Sequence, residues 1–335
     1  MCLADALLAT ANTSMSRRQL FGVTAAGLSA AAFAPSLAFA QPSGLAPGVL
    51  EGATLVSQAG GPGSAGVNLR SFGTNAWEIT SGNKTIWMDP WLTRYDSGAF
   101  SGRFDGSTPI SVDTGVLDTY ITNVDIILLG HGHFDHIADV PYVAKKTGAM
   151  VIGSETHNNL LRGFGVPDKQ LVQVSGGENM QFDGFSIEVF RGLHGLDGNK
   201  QYVFPHTLNT VPAAPTRTDQ LYEGGTFVYQ LTRDDGFAIL LMSTGNFVER
   251  ELSGLHPDVA ILGATSTYTQ THQYNARLLK ALNYPAVILP THWDNWEKPL
   301  TEPAVGNVDP WVAEVKQLSP NSKVFVLDHL QSYAA

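Results

Sequence analysis

The chain has 335 residues, 43 % of them apolar and 15 % charged, and a formal net charge of −10. This composition leaves ample material for a core and excludes wholesale disorder. An acidic balance without any run of Lys or Arg also excludes a bulk role on nucleic acid or anionic lipid, both of which demand clustered basic side chains.

Residues 1–40 read as an export signal. Ser16-Arg17-Arg18-Gln19-Leu20-Phe21 carries the paired arginines of the twin-arginine type. An Ala-rich run over 22–39 follows and ends in Ala38-Phe39-Ala40, a small-x-small cleavage pattern before Gln41. An uncleaved membrane anchor is the alternative, but Pro35 and the many Ala and Gly residues make the run weakly apolar for a span. Translation starts at Met1 or at Met15. Cys2 is the only cysteine and falls away under either start, so the mature chain has no disulfide. The expected destination is periplasmic or secreted, with no stable membrane insertion after cleavage.

Residues 41–66 are rich in Gly, Pro, Ala and Ser and read as a flexible lead-in with one short strand at 53–56. Strands are expected at 67–72, 76–80 and 85–88, the last two joined by Ser81-Gly82-Asn83. Residues 125–129, apolar after Asp125, suit a strand buried on both faces. A helix over 137–146, a strand at 150–152 and a helix over 155–162 follow. The second half repeats the alternation, with strands at 185–190, 226–231, 237–242, 259–262, 286–289 and 323–327. Its helices are expected at 248–253, 274–282 and 310–317. Two alternating halves predict an α/β sandwich spanning 67–335, sheets inside and helices outside. Residues 195–225 resist the pattern: they hold three Pro and no clean period. We read them as a lid or binding loop, with a structural excursion as the alternative.

The chemistry concentrates in His131-Gly132-His133-Phe134-Asp135-His136, directly after the apolar strand. Neutral imidazoles and a carboxylate are the usual donors to zinc. On a turn at a strand end, His131 and His133 aim at one point, and Asp135 and His136 reach a second a few Å away. No Gly-rich phosphate loop competes, because Gly60-Gly61-Pro62-Gly63 lacks the following Lys and helix.

The segment resembles the His-x-His-x-Asp-His signature of the metallo-β-lactamase superfamily, and the resemblance runs from about Val67 to Leu327. It implies a four-layer αββα sandwich and two metal ions, zinc by preference. It further implies His131, His133 and His194 as ligands of one ion, and Asp135, His136 and His292 as ligands of the other. His194 and His292 each follow a predicted strand, as the family expects. Asp89-Pro90-Trp91-Leu92 and His292-Trp293-Asp294 are similar to a branch that includes ascorbate-6-phosphate lactonase and the phospholipase D acting on N-acyl-phosphatidylethanolamines. In that setting Asp89 either orients a ligand histidine or is a turn acid before Pro. Many members place a bridging aspartate after the strand corresponding to 237–242. Here Ser243-Thr244-Gly245-Asn246 puts an amide there, so Asn246 is a candidate bridge or neighbour of the metals.

The activity implied is hydrolysis by a metal-bound hydroxide, with Asp135 orienting the nucleophile as well as binding metal. A small-molecule lactone, ester or amide is the first substrate class. The alternatives are a phosphodiesterase or phospholipase-type hydrolase, and a binding or redox protein that keeps the fold without hydrolysis. Pocket candidates are Trp91, Tyr202, His206, Tyr268, His272, Trp293 and Trp296, with Tyr268 and Trp293 preferred as substrate contacts. Oligomeric state is left open by the sequence.

Overall fold

The computed structural model describes residues 66–335. The export signal, the strand expected at 53–56 and all of the lead-in except Gly66 lie outside the described residues. Within them, Val67–Ser71 (β1), Trp77–Ser81 (β2) and Lys84–Met88 (β3) form an antiparallel meander, with Leu69 opposite Ile79 and Ile79 opposite Ile86. The chain then turns parallel. Ile126–Leu128 (β4), Met150–Gly153 (β5) and Leu171–Gln173 (β6) add in order beside β3. Thr114–Tyr120 (α1), Phe134–Ile137 (α2), Val140–Thr147 (α3) and Glu155–Gly163 (α4) supply the connections.

The second sheet begins with the hairpin Asn179–Phe182 (β7) and Phe185–Arg191 (β8), then Phe227–Arg233 (β9) and Ala238–Met242 (β10), all antiparallel. Glu249–Leu252 (α5), Val259–Gly263 (β11), Tyr274–Ala281 (α6), Val287–Thr291 (β12), Asp309–Leu318 (α7) and Lys323–Val324 (β13) continue it in parallel. The final strand, Ser332–Ala334 (β14), crosses back to pair with β1. Each sheet therefore has seven strands, in the orders β14-β1-β2-β3-β4-β5-β6 and β13-β12-β11-β10-β9-β8-β7.

Strand periodicity explains the four layers. In β10, Ile239 and Leu241 face the space between the sheets, while Leu240 and Met242 face the outer helices. The central core joins Leu69, Ile79, Ile86, Leu128 and Ile152 of one sheet to Ile187, Leu231, Ile261 and Leu289 of the other. On the outer side of the first sheet, Ile127, Leu129 and Val151 pack beneath Leu117, Val143, Leu160 and Leu161. Burying each such side chain contributes about 1.5–3 kcal/mol, which is why wholly apolar strands can sit between layers. The expected α/β sandwich with helices outside is the observed architecture.

Differences from expectation have local causes. The single helix expected over 137–146 is two, α2 and α3, because Pro141 has no N–H to continue the first and instead occupies the first turn of the second. Helix α1 lies in a stretch whose sequence pattern suggests no element; Asp113 caps it by accepting from Gly115 N and Val116 N. The strand expected at 323–327 shortens to the two residues of β13, and β6, β7 and β14 are additional. No helix among the described residues is long and apolar enough to cross a membrane.

Candidate metal centre

The loops after β3, β4, β8, β10 and β12 meet at one edge of the sandwich. After β4 the chain runs through Gly130 into His131, and His133 then starts α2, whose first turn carries Asp135 and His136. Gly132 is required by close approach: a Cβ there would lie 2.2 Å from the Tyr222 carbonyl oxygen.

Donor atoms of His131, His133 and His194 lie within 4.8 Å of one another, as do those of Asp135, His136 and His292. In the second set His136 Nε2 is 3.2 Å from His292 Nε2, and Asp135 Oδ2 is 3.4 Å and 3.3 Å from those two nitrogens. A tetrahedral zinc with bonds near 2.0–2.1 Å places its donors about 3.3 Å apart, so this triangle fits such an ion. The first set passes a different test. His133 Nε2 donates to the Val203 carbonyl at 2.9 Å and His194 Nδ1 to the Gly195 carbonyl at 2.7 Å, which leaves the other ring nitrogen of each as a lone pair. His131 Nδ1 is 2.8 Å from Ser243 Oγ, and its Nε2 is buried without a partner. Three converging lone pairs suit a cation.

Titration separates the two sets. Burial, reinforced by neighbouring histidines, pushes His131 and His133 well below the usual imidazole range, and burial brings His194 down to about 4 against its bond to the Gly195 carbonyl and the nearby Glu223 carboxylate. Burial opposes charge on His136 too, but Asp135 and Asp89 on either side raise it to about 9. Burial likewise opposes ionisation of Asp135, yet His136 and His292 hold it well below the usual carboxylate range. At neutral pH the first set is ready to bind, whereas an ion entering the second displaces a proton.

Asp89 ties the sets together. Its Oδ2 accepts from His136 Nδ1, Asn75 Nδ2 and Ser243 Oγ, each at 2.8 Å, and its Oδ1 accepts from Gly130 N at 2.6 Å. Because the Ser243 hydroxyl donates to Asp89, its oxygen accepts from His131 Nδ1. One carboxylate thus orients a histidine of each set, directly for His136 and through Ser243 for His131. Asn246 bonds to the backbone of one ligand. Its Nδ2 donates to the His194 carbonyl at 3.3 Å and its Oδ1 accepts from Phe247 N at 2.9 Å. Sequence reasoning singled out Asn246 and missed Ser243. The available signal was that Ser243 is the first polar residue after the all-apolar β10.

The segment 195–225 covers the ligand loop and is bonded to it, through Val203 to His133 and through the Glu223 carbonyl to Gly132 N at 2.9 Å. Phe204 stands edge-on to His133 at 6.0 Å, and Trp296 edge-on to His292 at 5.3 Å. Of the two preferred substrate contacts, Tyr268 packs on the outer helices beside Tyr274. Trp293 packs with the same outer layer. Trp91 is wholly buried, its Nε1 donating to the Trp296 carbonyl at 3.0 Å.

Asp139 fastens the turn after Asp89. It accepts from Leu92 N at 2.7 Å, Thr93 N at 2.9 Å and Thr93 Oγ1 at 2.7 Å. Burial raises it from 3.8 to about 6, against the pull of those bonds. The unfolded carboxyl ionises first, so stability falls as the pH rises between these values and stays reduced above them. Asp139→Asn preserves shape and can give its amide to the Thr93 hydroxyl. Urea unfolding of chelator-stripped protein should find it more stable than wild type by roughly 2–3 kcal/mol at pH 8 and equal near pH 4. An advantage independent of pH would show that ionisation of Asp139 is not its source.

A four-layer αββα sandwich carrying this histidine–aspartate cluster at its strand ends defines a class, the metal-dependent hydrolases. The family model described as beta-lactamase superfamily domain matches residues 68–292, and the chain belongs to that family, the metallo-β-lactamase superfamily. The chain is similar to a UPF0173 metal-dependent hydrolase from Myxococcus xanthus, 28 % identical over 245 residues, covering 70 % of this chain and 80 % of the relative. A UPF0173 metal-dependent hydrolase from Methanopyrus kandleri is 23 % identical over 265 residues, covering 78 % of this chain and 97 % of the relative. Among solved structures, Igni18, a metallo hydrolase from Ignicoccus hospitalis, shares the fold with a TM-score of 0.54 and 19 % identity, over 80 % of this chain and 97 % of that one.

Proposed function

We propose that this protein is an exported hydrolase that holds two divalent ions, zinc by its donor set, and opens the lactone, ester or amide carbonyl of a small molecule. The observation that carries the two-ion reading is the pair of donor sets, each within 4.8 Å, sharing one orienting carboxylate. Ions bound there supply Lewis acidity and an acidified water near neutral pH. Asp135, kept ionised in the second set, accepts a hydrogen bond from the attacking water and so aims it. His131, His133, His136 and His194 each have one ring nitrogen committed to a fixed partner, which holds the opposite nitrogen in place without reorganisation during turnover.

The surroundings favour a carbonyl substrate over a phosphodiester. Phe204 flanks His133, Trp296 flanks His292, and Phe104, 39 % exposed, extends the apolar surface from Phe204 to Phe134. Among the described residues no Lys or Arg is bonded to any of the six ligand side chains. A phosphodiester, which keeps its charge throughout, would gain from such a cation. The reading is tested by metal analysis and by turnover on one lactone, one β-lactam and one phosphodiester. The expected result is two ions per chain and carbonyl hydrolysis exceeding phosphodiester hydrolysis by at least about 100-fold, some 2.7 kcal/mol of barrier. Preference for the phosphodiester would transfer the protein to the phospholipase-type reading, and no turnover on all three would favour the binding or redox one.

A further inference from the structure

We propose that Arg94 is the positioning residue of the second ligand set, holding His292 in place through Asp294 and Thr74. The proposal rests on the two-ion reading above. It concerns residues outside both donor sets.

His292 has a left-handed backbone, with φ of 61°, a conformation that a non-glycine residue keeps only when its surroundings enforce it. The enforcement is visible. His292 N donates to the Thr74 carbonyl at 2.6 Å, and Thr74 N donates to Asp294 Oδ1 at 2.7 Å, closing a loop between the β1–β2 turn and the segment after β12. Thr74 is itself left-handed, at φ 50°. Asp294, two residues beyond the ligand, is therefore a strut for the ligand's backbone.

A buried carboxylate needs a partner, and Arg94 provides it. Their side chains are 0 % and 1 % exposed, and Arg94 Nη2 is 2.5 Å from Asp294 Oδ2. The same nitrogen donates to Thr74 Oγ1 at 3.0 Å, while Nη1 donates to the Lys298 carbonyl at 2.8 Å. His329 Nε2 completes the cluster, 2.7 Å from Arg94 Nη1 and 3.0 Å from Asp294 Oδ2. The planar fork of a guanidinium reaches all of these groups at once, which an ammonium on a flexible stem does not. Gly73 shows how closely the cluster is packed: a Cβ there would lie 2.5 Å from Arg94 Nη2 and 2.6 Å from Asp294 Oδ2. Arg94 also has a left-handed backbone, at φ 56°. Three residues in this uncommon conformation thus meet around one ion pair behind a ligand, and the ligands of the first set are not among them.

The test is competitive zinc titration of metal-free full-length protein against a chromophoric chelator, reading the first and second ions separately. Arg94→Lys keeps the buried positive charge and loses the fork. It should weaken the second ion about 10- to 100-fold, the range typical of losing an outer partner, and leave the first within about twofold. Both affinities unchanged, or both reduced equally in a folded protein, would overturn the proposal. Should Arg94→Lys not fold, the pair Arg94→Met with Asp294→Leu removes both charges together, so that neither is left buried alone. The same selective loss is expected. If that pair does not fold either, the tie is a requirement of the fold and the positioning role is overturned. A wild-type protein that binds fewer than two ions would instead overturn the two-ion reading, whatever the variants do.

Discussion

Replacing His131 or His133 by Ala is expected to abolish retention of the first ion after dialysis against a mild chelator, and to lower turnover by more than about 100-fold, beyond the usual cost of losing an outer partner. Each variant leaves two neutral donors where a stable tetrahedral site uses three or four. His133→Ala also frees the Val203 carbonyl that its Nε2 holds at 2.9 Å, so the segment over the ligand loop loses one of its ties. His292→Ala should behave differently. It removes one corner of the 3.2–3.4 Å triangle and should empty the second site, while the first three histidines keep their ion. Metal content by elemental analysis separates the cases. Two ions retained at wild-type affinity in either class of variant would mean that the donors have been assigned wrongly.

The second large effect is expected at Asp89, which belongs to neither of the two donor sets but lies beside His131 and His136. Four donors converge on its two oxygens, and an amide offers only one oxygen. Asp89→Asn suits the left-handed backbone at this position, φ 42°, so the change tests hydrogen bonding and not strain. With its oxygen turned to Ser243 and His136, its NH2 opposes Gly130 N, leaving buried donors unpaired at a cost of about 1–3 kcal/mol. Both ions should bind roughly 10- to 100-fold more weakly, because Asp89 orients His136 directly and His131 through Ser243. Ser243→Ala interrupts only the path to His131 and should weaken the first ion alone. Zinc titration of the two variants side by side decides this. Equal effects of Asp89→Asn and Ser243→Ala on the second ion would remove the basis for a shared carboxylate.

Much of this arrangement is legible in the sequence. The strand order of polar and apolar residues marks β4, β8, β10 and β12, and the six side chains that meet in two sets each follow one of these strands. Histidines at alternate positions after an apolar run are a chemical pattern, readable because few other uses need them together. What resists reading is whatever depends on side chains from distant segments. Thr74, Arg94, Asp294 and His329 share no spacing in the chain, and only the packed fold brings them within hydrogen-bond reach. Ser243 and Asn246 show the same limit on a smaller scale, since only Thr244 and Gly245 separate a relay to His131 from a bond to the His194 carbonyl. Short edge strands such as β6 and β14 carry too few residues for a period to register. Trp293 adjoins a ligand in sequence and still packs with the outer layer, because a residue's neighbour along a loop can face the opposite way.

The order in which the ligands leave the ribosome follows from their places in the sandwich. His131, His133 and His194 are all made before the second sheet is complete, and His292 comes 98 residues after His194. At roughly 5–20 residues per second, that interval lasts about 5–20 s. During it the nascent chain carries three imidazoles able to capture a cation; Ser243, which fixes the first of them, is made midway, and His292, which completes the second set, only at the end. The strand at the edge of the first sheet, β14, is the last strand described, yet it pairs with β1, the first strand described, placing Leu69 opposite Tyr333. Pairing across almost the whole domain is the slowest kind of contact to form, because the loop-closure entropy must be met before any contact rewards it. The two donor sets therefore become complete at different times: the first once Ser243 has been made, and the second only after His292.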